Sequence, residues 1–419
     1  MGARMNRLSD FRYREFYIAS FIMIAFGFAI GDFTDNIDGL INIMSSPSVL
    51  ISDYMEIGGV GASFINAGIM LFISVLISNK SGARLTGAHI AGLFTVAGFS
   101  FFGKNLINSL PLMFGVYIYT VYKKTSVANF MHIMCFVTGM SPIVSLFYFG
   151  LNFNPTLGFF LGVTVGILVG FIIIPLSSSM LSFHDGYCLY NVGFTLGMLG
   201  IVFAGILRMF DRQIPTMDIV YVGNDFYPFI FLLILSTIFL VYGLYYNKGI
   251  KGYMKSILDQ SGRLVSDFTI EANKYLVTFN IGILGIISIL FVKISGGVFN
   301  GPIVGGILTI MGFASFGKHP KNVLPIMIGV LITSILNKYD PSGTPAVLTA
   351  LFSTTLAPVA GEFGFVAGIF TGFIHKAVAT NVGFSHGGMN LYNNGLAGGM
   401  VAGILVPLFK SFYERYNRD

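Results

Sequence analysis

The chain is short of charge. Only 10% of its 419 residues are Asp, Glu, Lys or Arg, whereas soluble domains carry about 25%. Hydrophobic residues make up 54% of the sequence, and the mean hydropathy is +0.79. So few charged side chains cannot cover the surface of a soluble protein of this size. The composition therefore predicts an all-α protein that crosses the lipid bilayer many times, because helices satisfy their own backbone hydrogen bonds in lipid.

Cysteine is scarce as well. Cys135 and Cys188 both lie in apolar stretches, which excludes a disulfide framework, and no spacing of Cys and His residues is typical of a zinc site. We therefore expect neither a metal ion nor a cofactor. The net charge of +6 is attributed to loops at the membrane surface and does not indicate binding of nucleic acid.

Carboxylates are nearly missing from the apolar segments. The nearest are Glu362 and Asp185, both at segment edges. Proton and sodium antiporters commonly place Asp or Glu within a span. The scarcity argues against coupling through carboxylates and leaves a channel, a facilitator, or sodium binding by backbone carbonyl groups. His375 and Lys376 lie within one apolar segment of the second copy. They are candidates for an anion contact; the alternative is that the Lys376 side chain extends to the membrane surface.

What the chain does contain is one pattern twice. Residues 82–124 align with residues 296–338 at a shift of 214, and 17 of these 43 positions are identical. A second pattern, His-x-Gly-x-x-Leu-Tyr-Asn-x-Gly, begins at His184 and again at His386. Duplicated apolar proteins are most often transport proteins, whose solute site tends to lie where the copies meet.

The apolar pattern predicts fourteen segments, since a spanning helix needs about 20 mostly apolar residues. The first copy, residues 1–210, contains 16–31, 58–79, 86–102, 107–122, 126–149, 157–178 and 187–207. The second copy, residues 211–419, contains 226–246, 274–294, 300–316, 321–336, 343–359, 363–380 and 389–409. Segments 86–102 and 300–316 are short and interrupted by glycine, so they are candidates for half-helices or re-entrant segments.

Charge in the loops predicts the orientation. Residues 1–16 contain four arginines, which indicates a cytoplasmic N-terminus. Loop 32–57 has five acidic residues and no basic ones, whereas its counterpart 247–273 has four lysines or arginines. We therefore expect these loops on opposite faces of the cell membrane, with inverted copies, a cytoplasmic amphipathic connector at 247–273 and a cytoplasmic C-terminus. Parallel copies are the alternative.

Three sets of recurring residues are candidates for the solute path. The first combines glycines at helical spacing with one threonine in each copy: Gly87, Gly92, Thr95 and Gly98, and then Gly301, Gly306, Thr309 and Gly312. Glycine at this spacing lets helices approach closely. The alternative is a broken helix whose free backbone groups and threonine hydroxyl contact solute.

The second set is Leu-Pro, at Pro111 and Pro325. Each proline is expected to open a helix, since its missing N–H would be unpaired in the first turn anyway.

The third set is the two histidine motifs. We expect each motif to follow a break in the helix, at Pro175 and 177–179 in the first copy and at 380–381 in the second. Tyr190 and Asn191, like Tyr392 and Asn393, would then open the next helix and hydrogen-bond a polar solute. His184 and His386 are candidates for gating or a pH response. The alternative is that these side chains bond the carbonyl groups at the break.

The whole chain resembles an uncharacterised bacterial family of integral membrane proteins of about 400 residues, which implies no activity. Two short features are similar to urea transporters: the Tyr-Asn-x-Gly stretches at 190–193 and 392–395, and the Leu-Pro pairs at 110–111 and 324–325. The urea-transporter filter continues differently after its Leu-Pro. This likeness implies an inverted duplication, a small polar solute and a homo-oligomer.

The sequence thus favours a transporter or channel for a small polar solute or ion, with no enzymatic activity. The path would lie between segments 86–102 and 300–316 and the two Tyr-Asn helices. One alternative is a membrane-embedded enzyme that uses His184 and His386. Another is a sensor or assembly subunit without transport, which predicts a dry interface between the copies.

Overall fold

The structure is a computed structural model, which describes residues 11–416 of the chain, with side chains as far as Phe412. The first half contains α1 Tyr13–Ile30, α2 Phe33–Met44, α3 Tyr54–Ile57, α4 Val60–Lys80, α5 Gly87–Phe99, α6 Leu106–Tyr122, α7 Met131–Val137, α8 Ser141–Ser145, α9 Pro155–Met180 and α10 Asn191–Met209. The second half contains α11 Phe226–Asn247, α12 Phe268–Glu271, α13 Lys274–Ile294, α14 Gly301–Phe313, α15 Pro320–Leu336, α16 Thr344–Ser353, α17 Ala357–Val382 and α18 Asn393–Tyr416. Short 3-10 turns at Val127–Phe130, Thr138–Met140 and Thr354–Leu356 and π turns at Leu146–Gly150 and Met254–Leu258 complete the helical elements.

The fold is a helical membrane bundle. Nine helical stretches between residues 11 and 416 are long and apolar enough to cross a bilayer, and α5, α6, α14 and α15 are shorter apolar helices. No β-strand occurs in this part of the chain. Each of the fourteen predicted segments coincides with helix. The prediction of an all-α polytopic bundle is therefore confirmed.

The short helices α5 and α14 pack against each other in the centre, and glycine makes this possible. A β-carbon on Gly98 would lie only 2.8 Å from the carbonyl oxygen of Gly305, and one on Gly87 would collide with the carbonyl oxygen of Ser315. The start of α5 thus meets the end of α14, so the two helices are antiparallel. Helices approach this closely only where side chains are absent.

Two asparagines hold the turns that follow these short helices. Asn66 of α4 donates through Nδ2 to the carbonyl oxygens of Ser100 and Lys104, at 2.7 and 2.9 Å. Asn280 of α13 makes the equivalent two bonds after α14, each 2.7 Å long. Two of these oxygens belong to the residues that cap the ends of α5 and α14, where carbonyl groups have no intrahelical partner, and the other two lie in the turns that follow. The asparagines therefore allow both short helices to end inside the protein.

The prolines do not open helices, so this prediction was wrong. Helix α6 starts five residues before Pro111, and α15 starts five residues before Pro325. The reason is the capping residue, since the Asn105 side chain accepts the backbone N–H of Asn108 at 3.0 Å while Asn108 returns the bond. The prolines instead face glycines, with Pro111 against Gly166 of α9.

The predicted helix break at Pro175 was also wrong. Helix α9 continues through Pro175 to Met180, and the non-helical stretch is 181–190. Transmembrane helices tolerate proline when neighbouring groups satisfy the backbone. In the second half α17 runs to Val382, past the break expected at 380–381.

The halves are joined by residues 210–225, which lie between α10 and α11. The segment 247–273 lies between α11 and α13 and carries the π turn and α12. It occupies the place that α2 and α3 have in the first half. Residues 217–221 run beside residues 51–53, with the Asp53 N–H donating to the Ile219 carbonyl oxygen at 3.0 Å.

The variants Asn66→Ala and Asn280→Ala test the role of the two asparagines. Each leaves two buried carbonyl groups unpaired, at a cost of about 1–3 kcal/mol per group. We expect a clear fall in the thermal unfolding temperature of the detergent-purified protein for each variant. Asn42→Ala, at an exposed position of α2, is the control. Equal thermal unfolding temperatures for all three variants would contradict the proposed role of Asn66 and Asn280.

Candidate functional site

A cavity of about 860 Å³ opens between the two halves. Its walls come from both short helices, from the α7 region, from the residues around the starts of α10 and α18, and from the 264–270 loop. A volume of this size is typical of pockets for small molecules. Five of the six predicted solute contacts line it: Thr95, Thr309, Tyr190, Asn191 and Tyr392.

The remaining predicted contact and the predicted gates lie elsewhere. Asn393 is not among the lining residues of this cavity, whereas its neighbour Asn394 is. His184 and His386 do not line it either. The glycines of the short helices serve close packing: besides the contacts described above, Gly92 faces Cys135, Gly306 faces Leu351, and Gly312 faces Phe94.

Each histidine is tied to the asparagine that starts the next helix. His184 Nε2 lies 3.0 Å from Asn191 Oδ1, and Asn191 Nδ2 donates to the carbonyl oxygen of Ser177 at 2.9 Å. His386 and Asn393 repeat both bonds, at 2.9 and 3.0 Å. Since each asparagine uses its NH₂ group on a carbonyl, its oxygen accepts and the histidine Nε2–H donates.

The protonation of these histidines follows from their surroundings. Burial lowers the pKa of His184 and of His386, and the bond to the asparagine acts in the opposite direction. These contacts fit the alternative in which the motif satisfies the carbonyl groups at the helix break. A gating role for the two histidines stays a prediction.

Each half caps the short helix of the other half. The carboxylate of Asp53 accepts the N–H of Gly301 at 3.2 Å, at the start of α14. The carboxylate of Asp267 accepts the N–H of Gly87 at 3.1 Å, at the start of α5. A negative charge is favourable at a helix N-terminus. Burial raises the pKa of both carboxyl groups, that of Asp53 to about 7, and the backbone hydrogen bonds lower it.

The structure adds two lysines that the sequence reasoning passed over. Lys104 and Lys318 are fully buried, each in the turn after a short helix. Lys104 donates through Nζ to the hydroxyl oxygen of Tyr392 at 2.6 Å. Lys318 donates to the hydroxyl oxygens of Tyr190 at 2.6 Å and Thr354 at 2.7 Å. The signal was present, because Gly-Lys recurs in both copies.

The two ends of the α5 and α14 pair differ in exposure. Beside the start of α5, Arg84 and Asn129 are exposed, and Asp267 lines the cavity. Beside the start of α14, Asp53 is fully buried and accepts the N–H of Tyr221, which belongs to the 210–225 segment. No equivalent segment occurs between residues 11 and 209. Among the described residues, the 210–225 segment therefore covers one end, and the equivalent end is open beside Arg84 and Asn129.

The fold and the cavity define a polytopic helical membrane protein. The chain belongs to the family described as "Protein of unknown function (DUF1576)", which matches residues 33–209 and 246–411. The expected membership in an uncharacterised family is thus confirmed. No curated protein and no solved structure matches the chain, and the likeness to urea transporters is not shown.

The exposed carboxylate in the first histidine motif provides a pH test. Asp185 pairs with Lys410 of α18 and with Arg263. The hydrogen bond from Lys410 lowers the Asp185 pKa, and Arg263 adds to the effect. The pair therefore stabilises the folded protein at neutral pH, and this contribution is lost as the pH falls through the lowered pKa. Because the group is half-exposed, the contribution is below about 1 kcal/mol.

We expect Asp185→Asn to melt slightly below the wild type at neutral pH and to match it in acid. Thermal unfolding of both proteins across this pH range is the measurement. Lys410→Met should behave in the same way because it removes the other partner. A difference that stays constant down to acid pH would show that Asp185 acts through something other than its charge.

Proposed function

We propose that the protein is a membrane transporter for a small polar solute, and that the cavity between its halves is the solute site. The observation that carries this proposal is the convergence of both halves on one cavity. Thr95 and Tyr190 of the first half and Thr309 and Tyr392 of the second half all line it. Polar groups are costly inside a membrane and usually serve a function.

The contacts between the halves support an inverted duplication. Helices α5 and α14 are antiparallel, and so are α10 and α18, since Gly197 meets Leu396 while Gly200 meets His386. Equivalent helices that pack antiparallel fit copies of opposite orientation in the bilayer. In transporters built in this way, the solute site lies at the repeat interface and access alternates between the two faces.

The difference between the two ends favours a transporter over an open channel. The cavity is open beside Arg84 and Asn129, whereas Asp53 and Asn300, at the equivalent opposite end, are fully buried. The Asn300 side chain also donates to the Thr344 hydroxyl at 2.7 Å. A path with one open and one closed end is the arrangement expected of alternating access. By the charge of the loops, the open end faces the cytoplasm.

The rival, an enzyme that uses His184 and His386, has less support. The Nε2 atom of each ring is within hydrogen-bonding distance of an asparagine oxygen, and neither ring lines the cavity. A catalytic base must reach the substrate within hydrogen-bond distance.

Flux measurements test the transport proposal. Proteoliposomes are loaded with a mixture of urea, glycerol, alanine, lactate and benzoate, and efflux is followed by mass spectrometry. We expect the wild type to release at least one solute faster than protein-free liposomes. Thr95→Phe and Thr309→Phe should return that release to the background, because each places a ring in the cavity.

Val202→Phe is the matched control, since Val202 lies on an exposed face of α10. It should keep the wild-type flux. Size-exclusion profiles establish that all variants are folded. Unchanged flux in both threonine variants would remove the cavity from the path, and a wild type that releases none of the five solutes would count against transport.

Labelling with a charged, membrane-impermeant thiol reagent tests the inverted orientation. Asp38→Cys and Lys251→Cys place a thiol at exposed positions of equivalent loops. The native Cys135 and Cys188 are fully buried, so background reaction is expected to be low. We expect intact cells to label only the first variant and inside-out vesicles only the second. Labelling of both from one side would contradict inversion.

A further inference from the structure

We propose that the solute is a small organic anion, and that Lys104 and Lys318 supply its counter-charge by taking up a proton as it binds. The inference rests on the proposed function, because it names the solute class of the same cavity. It begins from two lysines that are buried at equivalent places in both halves.

Neither lysine has a negative partner. The ion pairs found between residues 11 and 416 do not include Lys104 or Lys318. The titratable groups that face Lys104 are Tyr392 and Cys135, and those that face Lys318 are Tyr190 and Cys188. None of these is a carboxylate. Burying an unpaired ammonium is very costly, so the charge needs a partner from outside the chain.

Lys104 and Lys318 do not themselves line the cavity, but each contacts a tyrosine that does. Tyr190 and Tyr392 line it, and each hydroxyl oxygen lies 2.6 Å from a lysine nitrogen. An anion against either tyrosine is therefore within about 6 Å of an ammonium group, a distance at which opposite charges favour each other's ionised form. An ammonium group has three donors, so Lys104 and Lys318 keep donor capacity beyond these bonds.

The other residues that line the cavity favour an anion that has an apolar organic part. The rings of Phe99, Phe136, Phe313, Phe316 and Phe352 face the same cavity. Apolar walls with a few polar groups are typical of sites that bind organic molecules. A small inorganic ion would leave these rings unused. A carboxylate on a short apolar body satisfies both the lysines and the rings.

The two lysines mark two positions along one path. Lys104 follows the end of α5, whereas Lys318 lies near its start because α14 is antiparallel to α5. The 13 residues of α5 span about 20 Å at 1.5 Å per residue, so the backbones of the two lysines lie near opposite ends of this helix. A small anion that enters from the open end therefore reaches Tyr190, the partner of Lys318, first.

Charge balance couples this anion to a proton. An unpaired lysine in the empty cavity is favoured as the neutral amine, and the arriving carboxylate favours the ammonium. One proton from the aqueous side then enters with each anion, and the pair moves without net charge. By linkage, the dissociation constant should weaken about tenfold for each unit that the pH rises.

Matched acids and amides test this inference. The purified full-length protein is titrated calorimetrically with acetate, propionate, lactate and benzoate, and with acetamide, propionamide, lactamide and benzamide. We expect at least one carboxylate to bind and its amide to fail. Titrations in buffers of different ionisation enthalpy should show uptake of about one proton per anion.

Lysine variants locate the effect. Lys318→Met should abolish carboxylate binding at that position, whereas Lys123→Met, an identical change at an exposed lysine, should leave binding unchanged. The proton uptake is measured on the wild type, so the inference stays testable even where Lys318→Met fails to fold. Equal binding of an acid and its amide, binding without proton uptake, or no binding of any carboxylate would overturn it.

Transport can fail or succeed separately from this inference. If the protein transports urea, glycerol or alanine in proteoliposomes but binds no carboxylate in the calorimeter, the transport proposal is supported and the inference of an anionic solute is overturned. Carboxylate binding with proton uptake but without flux would support the anion site and count against transport.

Discussion

The structure depends on the need to pair every backbone group where a short helix begins or ends inside the protein. Helices α5 and α14 have 13 residues each, so their ends fall among other helices. An unpaired N–H or carbonyl in an apolar surrounding costs several kcal/mol. Asp53 and Asp267 satisfy the beginnings, and Asn66 and Asn280 satisfy the turns after the ends.

These pairings join the two halves. Each aspartate belongs to one half and caps the short helix of the other, beside that helix's own capping side chain, Thr86 or Asn300. The same exchange recurs near the cavity, where the Leu189 N–H donates to the Thr355 carbonyl oxygen and the Leu391 N–H donates to the Gly139 carbonyl oxygen, both at 2.9 Å. The cavity is therefore walled by groups whose positions depend on both copies.

The helices could be predicted from the sequence because apolar length decides them in a membrane. The residues that line the cavity could be predicted in part because Thr, Tyr and Asn recur at equivalent places in a chain with few polar residues. Pro111 misled because the capping pair of Asn105 and Asn108 starts the helix five residues earlier, and Pro175 misled because α9 continues through it to Met180. Lys104 and Lys318 were not chosen as site residues because their pairing with tyrosines 288 and 128 residues away is a tertiary contact.

The groups that recur in both halves and the 210–225 segment, which joins the halves, differ in what they indicate about the two ends of the α5 and α14 pair. The paired caps, asparagines and lysines are the same in both halves, so the two ends of the α5 and α14 pair are built from the same groups. The 210–225 segment has no second copy among residues 11–416, and its Tyr221 N–H donates to Asp53 at one end. In a chain of inverted copies, exchanging the conformations of the halves would open that end and close the other. Opening would break the Tyr221 bond to Asp53 and uncover a buried carboxylate, which sets a cost on the exchange that the equivalent Asp267 does not impose.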